Sequence, residues 1–243
     1  MSNCAPSAST SRPDSPLKNP AAGGGRWVDV PPERLVSWIA TFTRRHGAGP
    51  VLGDEAGATV TFTAADGAAA ECHPPFPPLR LAGAPDPDPA AAAEAVVAHA
   101  VAERTVGVLL VRLGGYAVGV FAVSPPQLVS SKTGSRPVHG RSAAGGWSQH
   151  RFARRRENQA ATAVRAAADA AARIFAPHDL DALVLGGDKR SAAGLRGDPR
   201  LAPYLARATD RFLTVPDPRL AVLKEIPRAF LAIRIRLTEP EPR

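Results

Sequence analysis

Cysteines and long apolar segments are scarce in this sequence, and each shortage excludes a class of protein. The two cysteines, Cys4 and Cys72, cannot form a disulfide framework, and alone they cannot supply the four ligands of a zinc site. The longest uncharged apolar run near a predicted strand, residues 105–111, is far shorter than the roughly 20 residues that cross a bilayer. The start of the chain does not follow the charged-then-apolar order of a secretory signal. We therefore expect a cytoplasmic, globular protein without a membrane partner.

Conventional catalytic groups are scarce as well. No Ser-His-Asp set and no cluster of metal ligands is recognisable, so the sequence predicts neither a serine-hydrolase mechanism nor a metal site, and no cofactor is expected. The chain does contain enough apolar residues, 44% of 243, to form the core of one large domain or two small ones.

Positive charge is concentrated in one segment of the chain. The formal net charge is +8, and the segment from Lys132 to Arg165 contains eight Lys or Arg residues against a single acidic residue, Glu157. Solvent-exposed helix faces usually alternate acids and bases at helical spacing, and here only Glu157 does so. The pattern therefore favours a surface that binds a polyanion over an ordinary solvated face.

The distribution of residue types predicts four regions. Residues 1–25 are rich in Ser, Pro, Ala and Gly and are predicted to form a disordered tail. Residues 26–80 read as a small α+β module, with a helix that opens at a proline pair and two strands joined by an Asp-Gly turn. A proline- and alanine-rich linker and helix occupy residues 81–100. A larger domain follows at residues 101–235.

The larger domain is predicted to have a mixed α/β fold. Glycine and proline turns separate three strands that should form an antiparallel meander, at residues 105–112, 116–123 and 127–132. A long helix is expected at residues 150–175, with alanines and other apolar residues on one face and basic and polar residues on the other. A buried strand at 181–187, a helix, a strand at 211–215 and a helix from about Pro218 then complete an α/β layer.

An irregular stretch at residues 134–148 is the candidate functional loop. Gly145 and Gly146 allow positive φ angles and close approach of the backbone to a partner. Gln149 follows three residues later, where the long helix begins. That helix carries arginines whose guanidinium groups match phosphate oxygens and also stack on bases: Arg151, Arg154, Arg155 and Arg156.

These segments resemble a known protein family. The strand that runs into SKTGSRPVHGR, the GGWSQ loop, the RFARRRENQ helix and the later LVLGGDKR strand are similar to the catalytic domain of the Vms-type release factors, in their bacterial branch. Those proteins are related to the class I peptide release factors of eukaryotes and archaea. The resemblance covers roughly residues 100–230. Trp147 and Ser148 separate the glycines from Gln149, as in the looser Gly-x-x-Gln pattern of the Vms-type branch.

The resemblance implies a fold, an activity and partners. The fold would be the layered release-factor catalytic domain of RNase H-like or ribosomal-protein-like type, preceded by the small α+β module. The activity would be hydrolysis of the peptidyl-tRNA ester on stalled ribosomes, with Gln149, Gly145 and Gly146 as catalytic residues. The partners would be the large ribosomal subunit, peptidyl-tRNA and ribosomal RNA. A codon-reading domain is not recognisable before residue 100, so rescue is expected rather than stop-codon decoding.

The chemistry of the residues is consistent with that implication. A glutamine amide is neither acidic nor basic near neutral pH, so Gln149 can orient a water molecule but cannot act as a general base. The groups that handle protons would then belong to the RNA, for example the ribose hydroxyl beside the ester. His139 and His150 flank the loop, and we interpret both as RNA contacts rather than catalysts.

Several residues around the loop are predicted to bind RNA. For the three basic residues before the glycines, phosphate contacts are favoured over plain surface charge, and for Trp147 base stacking and anchoring of the loop both remain open. The predicted set is Lys132, Arg136, Arg141, Trp147, Arg151, Arg154, Arg155, Arg156 and Asn158. The Asp188-Lys189-Arg190 sequence is interpreted as an ordinary helix start.

Two other functions stay open at this point. An oriented ribose hydroxyl attacks a phosphodiester as readily as it assists ester hydrolysis, so cleavage of the tRNA near its 3′ end is a close alternative. A non-catalytic protein that binds ribosomal RNA through the basic helix is the second, and a ribosomal-protein-like subunit is a variant of it. Neither non-catalytic alternative requires a glycine pair and a glutamine in the loop.

Overall fold

The computed structural model describes residues 19–21, 24–81, 87–112, 115–135 and 148–240, and for residues 148–160 it describes the backbone alone. Within these ranges the chain forms two β-sheets with helices packed on them. The predicted mixed α/β class is confirmed. None of the helices in the described part of the chain has the length and apolar character to cross a membrane.

The described residues form eleven strands and seven α-helices. In chain order they are β1 Asn19–Pro20, β2 Arg26–Val30, α1 Pro32–His46, β3 Val51–Gly53, β4 Val60–Thr63, β5 Ala69–His73, α2 Pro89–Ala100, β6 Thr105–Arg112, β7 Gly115–Ala122, β8 Gln127–Ser135, α3 Ser148–Phe175, β9 Ala182–Gly187, α4 Lys189–Gly194, α5 Ala202–Leu205, β10 Ala208–Leu213, α6 Leu220–Glu225, α7 Pro227–Phe230 and β11 Ile233–Thr238.

The first sheet is antiparallel, with the strand order β1-β2-β11-β5-β4-β3. Helix α1 starts at Pro32, whose fixed φ suits the first helical position. Its apolar residues Leu35, Ile39 and Phe42 recur at helical spacing and are buried against the sheet. Helix α2 adds a second buried row to the same core: Ala92, Ala93, Val96 and Ala100.

Two strands of this sheet lie where other structure was expected. Asn19 and Pro20 fall in the predicted tail, but they form β1 against β2. Strand β11 comes from the end of the chain and pairs on one side with β2 and on the other with β5. Residues 233–235, which the sequence predicts to be part of the larger domain, pair within the first sheet. The division of the chain into domains stays a prediction.

The second sheet has the strand order β10-β9-β6-β7-β8. Strands β6, β7 and β8 form the predicted antiparallel meander, while β9 pairs in parallel with both β6 and β10. The long helix and the strand at 181–187 are confirmed as α3 and β9. The strand predicted at 211–215 is shifted and occupies Ala208–Leu213, because its pairing with β9 begins at Ala208 and ends before Pro216.

Both faces of the second sheet are covered. On one face Val106, Val108 and Leu110 of β6 pack with residues of α6 and α7. On the other face Leu109 and Val111 pack against α3 and the turns that follow α4. Because side chains alternate along a strand, β6 contributes to two separate cores and is fully apolar at these positions. This sheet is therefore a rigid support for the helix that follows β8.

Candidate functional site

The candidate loop begins at one end of the second sheet. Ser135, the last residue of β8, pairs with Gly115, and Gly115 also pairs with Arg112 at the end of β6. The ring of Tyr116 lies directly over Gly134, where a Cβ atom would come within 2.5 Å of the ring. A larger residue at 134, near the end of β8, would therefore have to displace the Tyr116 ring. Residues 136–147 follow and lie outside the described residues.

The second half of α3 is anchored on the sheet by small residues. Alanines at positions 163, 167, 168, 170 and 171 are buried, and Phe175 is fully enclosed. Alanine side chains allow the helix axis to approach the strands closely, so this half packs along β7 and β6. At one end Val164 lies against Gly194 of α4, and at the other Phe175 lies against Gly107 of β6.

The first half of α3 extends beyond the sheet. A helix of 28 residues is about 42 Å long, whereas a strand of 8 residues spans about 26 Å. Val164 lies beside α4, which follows the end of β9, so the helix passes the ends of the strands near this point. The backbone from Ser148 to Val164 therefore continues for about 24 Å past the strand ends.

The predicted site residues fall into three groups in this geometry. Lys132 is exposed on β8 and pairs with Val118, whose side chain packs towards α3. Lys132 therefore lies on the face of the sheet that α3 covers. Gly145, Gly146 and the predicted RNA contacts in the same segment lie outside the described residues: Arg136, Arg141 and Trp147. The third group lies on the described backbone of α3, with side chains outside the described atoms: Gln149, Arg151, Arg154, Arg155, Arg156 and Asn158.

Helical spacing places part of the third group on one face. Arg151, Arg155 and Asn158 are separated by four and three residues, so on the α3 backbone they share a face. Continuing with the same spacing, that face reaches Arg165, which is exposed. The exposed side of α3 is thus continuous with the positions of the predicted RNA contacts, while the alanine side is held on the sheet.

Lys189 and Arg190 add positive charge at the same end of the sheet. Both are exposed in the first turn of α4, directly after β9. The predicted helix start at Asp188 is confirmed, since its carboxylate accepts hydrogen bonds from the Ser191 backbone N–H at 2.7 Å and from the Ser191 hydroxyl at 2.8 Å. Sequence reasoning did not connect these cations with the loop, because only the pairing of β9 with β6 brings them to the same edge.

Carboxylates near the anchored half of α3 are already paired. Arg200 donates hydrogen bonds to Asp169 at 2.7 Å and to Asp198 at 2.6 Å. The hydrogen bond from Arg200 is the largest of the effects that hold the pKa of Asp198 below its usual value. Among the described side chains, no ion pair involves Lys132, Arg165, Lys189 or Arg190. Within the described part of the chain, these four cations therefore have no carboxylate partner.

A metal centre is not formed by the described residues. Within the ranges covered by the structure, no three His, Cys, Asp or Glu side chains are close enough together to hold an ion. The described cysteine, Cys72, is buried in the first sheet, where burial strongly raises the pKa of its thiol. Cys72 is therefore a core residue and not a nucleophile or ligand.

Comparison with known proteins gives one family match. The model of the family described as Actinobacteria/chloroflexi VLRF1 release factor matches residues 104–236, which is more than half of the 243-residue chain. The matched range runs from the start of β6 into β11 and includes β8, residues 136–147 and all of α3. A search of curated proteins found no match.

The chain has distant similarity to a number of solved structures, and two of them bear on Vms1 or on translation. One is described as "Vms1 mitochondrial localization core", with 9% identity, a TM-score of 0.39 and coverage of 86% of this chain and 82% of that one. The other is the archaeal translation termination factor aRF1, with 13% identity, a TM-score of 0.34 and coverage of 82% and 62%. The chain thus spans less than two thirds of the archaeal factor. Both TM-scores are below 0.5, so neither structure supports a conclusion about this chain. The family match alone bears on the family to which the chain belongs.

Proposed function

We propose, from the premise that the chain belongs to the Actinobacteria/chloroflexi VLRF1 release factor family, that it rescues stalled ribosomes by hydrolysing the ester bond of peptidyl-tRNA. The observation that carries this proposal is the family match over residues 104–236, which includes the Gly-Gly-x-x-Gln segment at 145–149. The reaction takes place in the cytoplasm on the large ribosomal subunit. Peptidyl-tRNA is the substrate and ribosomal RNA is the surrounding surface.

In the proposed mechanism, Gln149 orients the attacking water. The amide holds the water by hydrogen bonds, and it neither accepts nor releases a proton because it does not titrate near neutral pH. Gly145 and Gly146 let the backbone lie close to the end of the tRNA. The water oxygen bonds to the ester carbon, the bond from that carbon to the ribose oxygen breaks, and the adjacent ribose hydroxyl relays the proton. The products are a peptide with a free carboxyl end and a deacylated tRNA.

The shape of the second sheet and α3 supports this role. A reactive loop that must enter a narrow RNA-lined site needs a stiff extension and a rigid base. The buried alanines of α3 fix its second half on a sheet that is covered on both faces. The backbone of the first half of α3 then extends about 24 Å from that base. Such a length suits insertion between RNA segments.

We further propose that the basic residues around the loop position the protein on RNA phosphates. The set comprises Lys132, Arg136, Arg141, Arg151, Arg154, Arg155 and Arg156, with Trp147 and Asn158 as additional contacts and with Lys189 and Arg190 at the sheet edge. Neutralisation of phosphates releases counterions, so the affinity for ribosomal complexes should fall steeply as salt increases. Replacing the three consecutive arginines by glutamine should weaken binding and make its salt dependence shallower.

A peptide-release assay tests the catalytic proposal. Stalled large-subunit complexes that carry labelled peptidyl-tRNA are incubated with the wild-type protein or with Gln149→Ala. We expect Gln149→Ala to lower the rate of release about 100-fold, because the water loses its orientation. Gln127→Ala is the matched control. Gln127 is exposed at the start of β8, at the opposite end of the sheet from the loop, so its replacement should leave the rate unchanged.

The mass of the released peptide separates ester hydrolysis from tRNA cleavage. A peptide that ends in a free carboxyl group is expected, whereas a peptide with attached nucleotides would replace ester hydrolysis by cleavage of the tRNA. Equal release by wild-type protein and Gln149→Ala would remove Gln149 from the mechanism. Tight, salt-dependent binding without any release by the wild-type protein would favour a non-catalytic RNA-binding protein instead.

A further inference from the structure

The first sheet has an outer face that the described helices do not cover. Helices α1 and α2 pack on the inner face, where Ile233, Ile235 and Leu237 of β11 are buried. Because the side chains of a strand alternate, Arg234 and Arg236 of β11 lie on the opposite, outer face. No hydrophobic cluster of the described residues includes the side chains on that face.

Three flat side chains lie together on this outer face. The guanidinium carbon of Arg234 is 4.2 Å from the centre of the Trp27 ring, which is stacking distance for a cation–π contact. The His73 ring is 5.2 Å from the Trp27 ring, in an edge-on arrangement. All three residues are partly exposed. They come from β2, β11 and β5, which are neighbouring strands, so the sheet itself fixes their relative positions.

Charge on the outer face is arranged so that Arg234 stays available. Arg236 pairs with Glu71 at 2.5 Å, and Arg211 of β10 pairs with Asp29 at 2.9 Å. Asp29 lies opposite Arg234 in the pairing register, but Asp29 and Glu71 both form ion pairs with other arginines, and Glu71 also lies 2.9 Å from His73. Within the part of the chain that the structure covers, no carboxylate lies within ion-pair distance of Arg234. The stack on Trp27 holds its planar group in place without neutralising it.

The pairing register extends the polar surface across the sheet. Arg236 lies opposite Trp27 on one side and Glu71 on the other, and Glu71 lies opposite Thr61 of β4. This row crosses four strands, which span about 14 Å. Two or three nucleotides of an extended single strand cover a similar distance. The row contains stacking groups at the β2 side and a hydroxyl at the β4 side.

We propose that this outer face, defined by Trp27, Arg234, His73, Arg236 and Thr61, binds a single-stranded RNA segment. Unpaired bases stack on aromatic rings and on guanidinium planes, while duplex RNA does not offer its base faces. Arg234 combines a stacking plane with a positive charge that forms no ion pair with any described carboxylate. An acidic peptide would use the charge but not the stacked rings, so the arrangement favours RNA. None of these five residues belongs to the segment 134–149 of the proposed function.

The test uses a fluorescently labelled 12-nucleotide oligouridine and contains no ribosome or peptidyl-tRNA. The full chain carries Arg154→Glu, Arg155→Glu and Arg156→Glu, which suppress binding at the basic helix. In this background Arg234→Ala should raise the Kd about tenfold, and Arg234→Lys should raise it severalfold because lysine keeps the charge but not the plane. Arg45→Ala is the matched control, since Arg45 is exposed on α1 at the other face of the same sheet, and its Kd should not change.

Crosslinking of the unsubstituted protein gives a second, independent readout. Oligouridine that contains 4-thiouridine is irradiated with the protein, and crosslinked peptides are identified by mass spectrometry. Crosslinks in peptides of β2, β5 or β11 support the site. Crosslinks confined to residues 132–165 together with an unchanged Kd for Arg234→Ala would overturn it. Displacement of the oligonucleotide by poly-glutamate at lower concentration than by unlabelled RNA would also overturn it, in favour of an acidic protein partner.

Discussion

Helices cover both faces of the second sheet, but the described helices cover only one face of the first. The second sheet buries Phe121 on one side and Val118 on the other, so its central strands β6 and β7 are mostly apolar and enclosed. In the first sheet, inward apolar residues alternate with outward Trp, Arg and His side chains. The two-sided sheet supports a projecting helix, whereas the one-sided sheet presents a surface of its own. Coverage of one face or of both faces by helices thus distinguishes the two β-sheets of this chain.

The largest expected difference between the two sheets is the stability lost when an aromatic side chain is truncated to alanine. Phe121 is fully buried and packs edge-on against Phe230 at 5.8 Å, so Phe121→Ala should lower the free energy of unfolding by about 3 to 5 kcal/mol. Trp27 is larger but lies on the open face, so Trp27→Ala should cost only about 1 kcal/mol. Chemical denaturation of both variants measures the difference. Equal losses would mean that the outer face is covered in solution.

A pair of glycines compares backbone constraints in the two sheets. Gly187, at the end of β9, has φ 108°, and a Cβ atom there would overlap the carbonyl oxygen of Val111. Gly67, in the turn between β4 and β5, has φ 90° but no atom within 4 Å of the added Cβ. We expect Gly187→Ala to lower the free energy of unfolding by about 3 kcal/mol, because the alanine is both strained and overlapping. Gly67→Ala should lower it by about 1 kcal/mol, because only the positive φ is unfavourable. Thermal unfolding tests this order, and a larger loss for Gly67→Ala would refute the crowding at β9.

The helix caps that precede α2 and α4 give a smaller comparison. Asp88 accepts hydrogen bonds from the backbone N–H groups of Ala90 and Ala91 at 3.0 and 3.1 Å. Asp188 accepts from both the backbone and the hydroxyl of Ser191. Replacing either aspartate by alanine should lower the free energy of unfolding by about 1 kcal/mol, with Asp188 at the upper end because the Ser191 hydroxyl also loses its partner. Urea titration of both variants measures this loss of unfolding free energy. Asparagine at each position should recover most of it.

The smallest expected effect is a pH dependence that originates on the open face. Burial lowers the pKa of His73 below its usual value of 6.5, Glu71 opposes this shift, and Arg236 and Arg234 reinforce it. The folded protein therefore binds fewer protons at His73 than the unfolded chain does. The resulting stability is complete above pH 6.5 and is lost as the pH falls through and below that value.

His73→Gln should flatten this decline. Unfolding free energies of the wild type and the variant, measured between about pH 8 and pH 5, are expected to have a constant difference at the alkaline end and to converge or cross as the pH falls. A difference that does not change with pH would show that His73 has the same pKa in both states.

Much of the second sheet follows from local sequence patterns. Glycine and proline turns between apolar runs correctly predicted β6, β7 and β8, and the periodicity of alanines predicted α3. The succession of β9 and α4 was also predicted. A short apolar run ends in glycines, and an aspartate that can cap a helix follows directly. Local rules are sufficient here because each element contacts its neighbours in sequence or carries a strong capping signal.

The first sheet was predicted less completely because its pairing is long-range. Strand β11 has a clear alternation of apolar and basic residues in Ile233–Thr238, but nothing local indicates that it inserts between β2 and β5. The alanine-rich helix predicted after the proline-rich linker is confirmed as α2, but local sequence did not indicate that its alanines belong to the core of this sheet. The short strands β1 and β3 contain too few residues for a periodic signal. The outer face with Trp27 and Arg234 exists only once these distant segments are paired.

For the candidate site, the sequence predicts the residue types and the structure adds the support. The glycine pair, Gln149 and the arginine run are adjacent in sequence, so their proximity needs no fold. The extension of α3 past the sheet edge and the position of Lys189 beside it depend on the packing of α3 and β9. The roles of Gln149 and of the arginines remain predictions.

The most direct test of the central proposal is the position of Gln149 in a bound complex. A cryo-electron microscopy map would be determined for the protein on a large ribosomal subunit that carries a tRNA with an amide-linked, non-hydrolysable peptide. We predict that the Gln149 amide lies within one water molecule of the carbonyl carbon that joins the peptide to the ribose. A map in which the protein is bound and Gln149 lies far from the tRNA terminus would contradict the proposed activity.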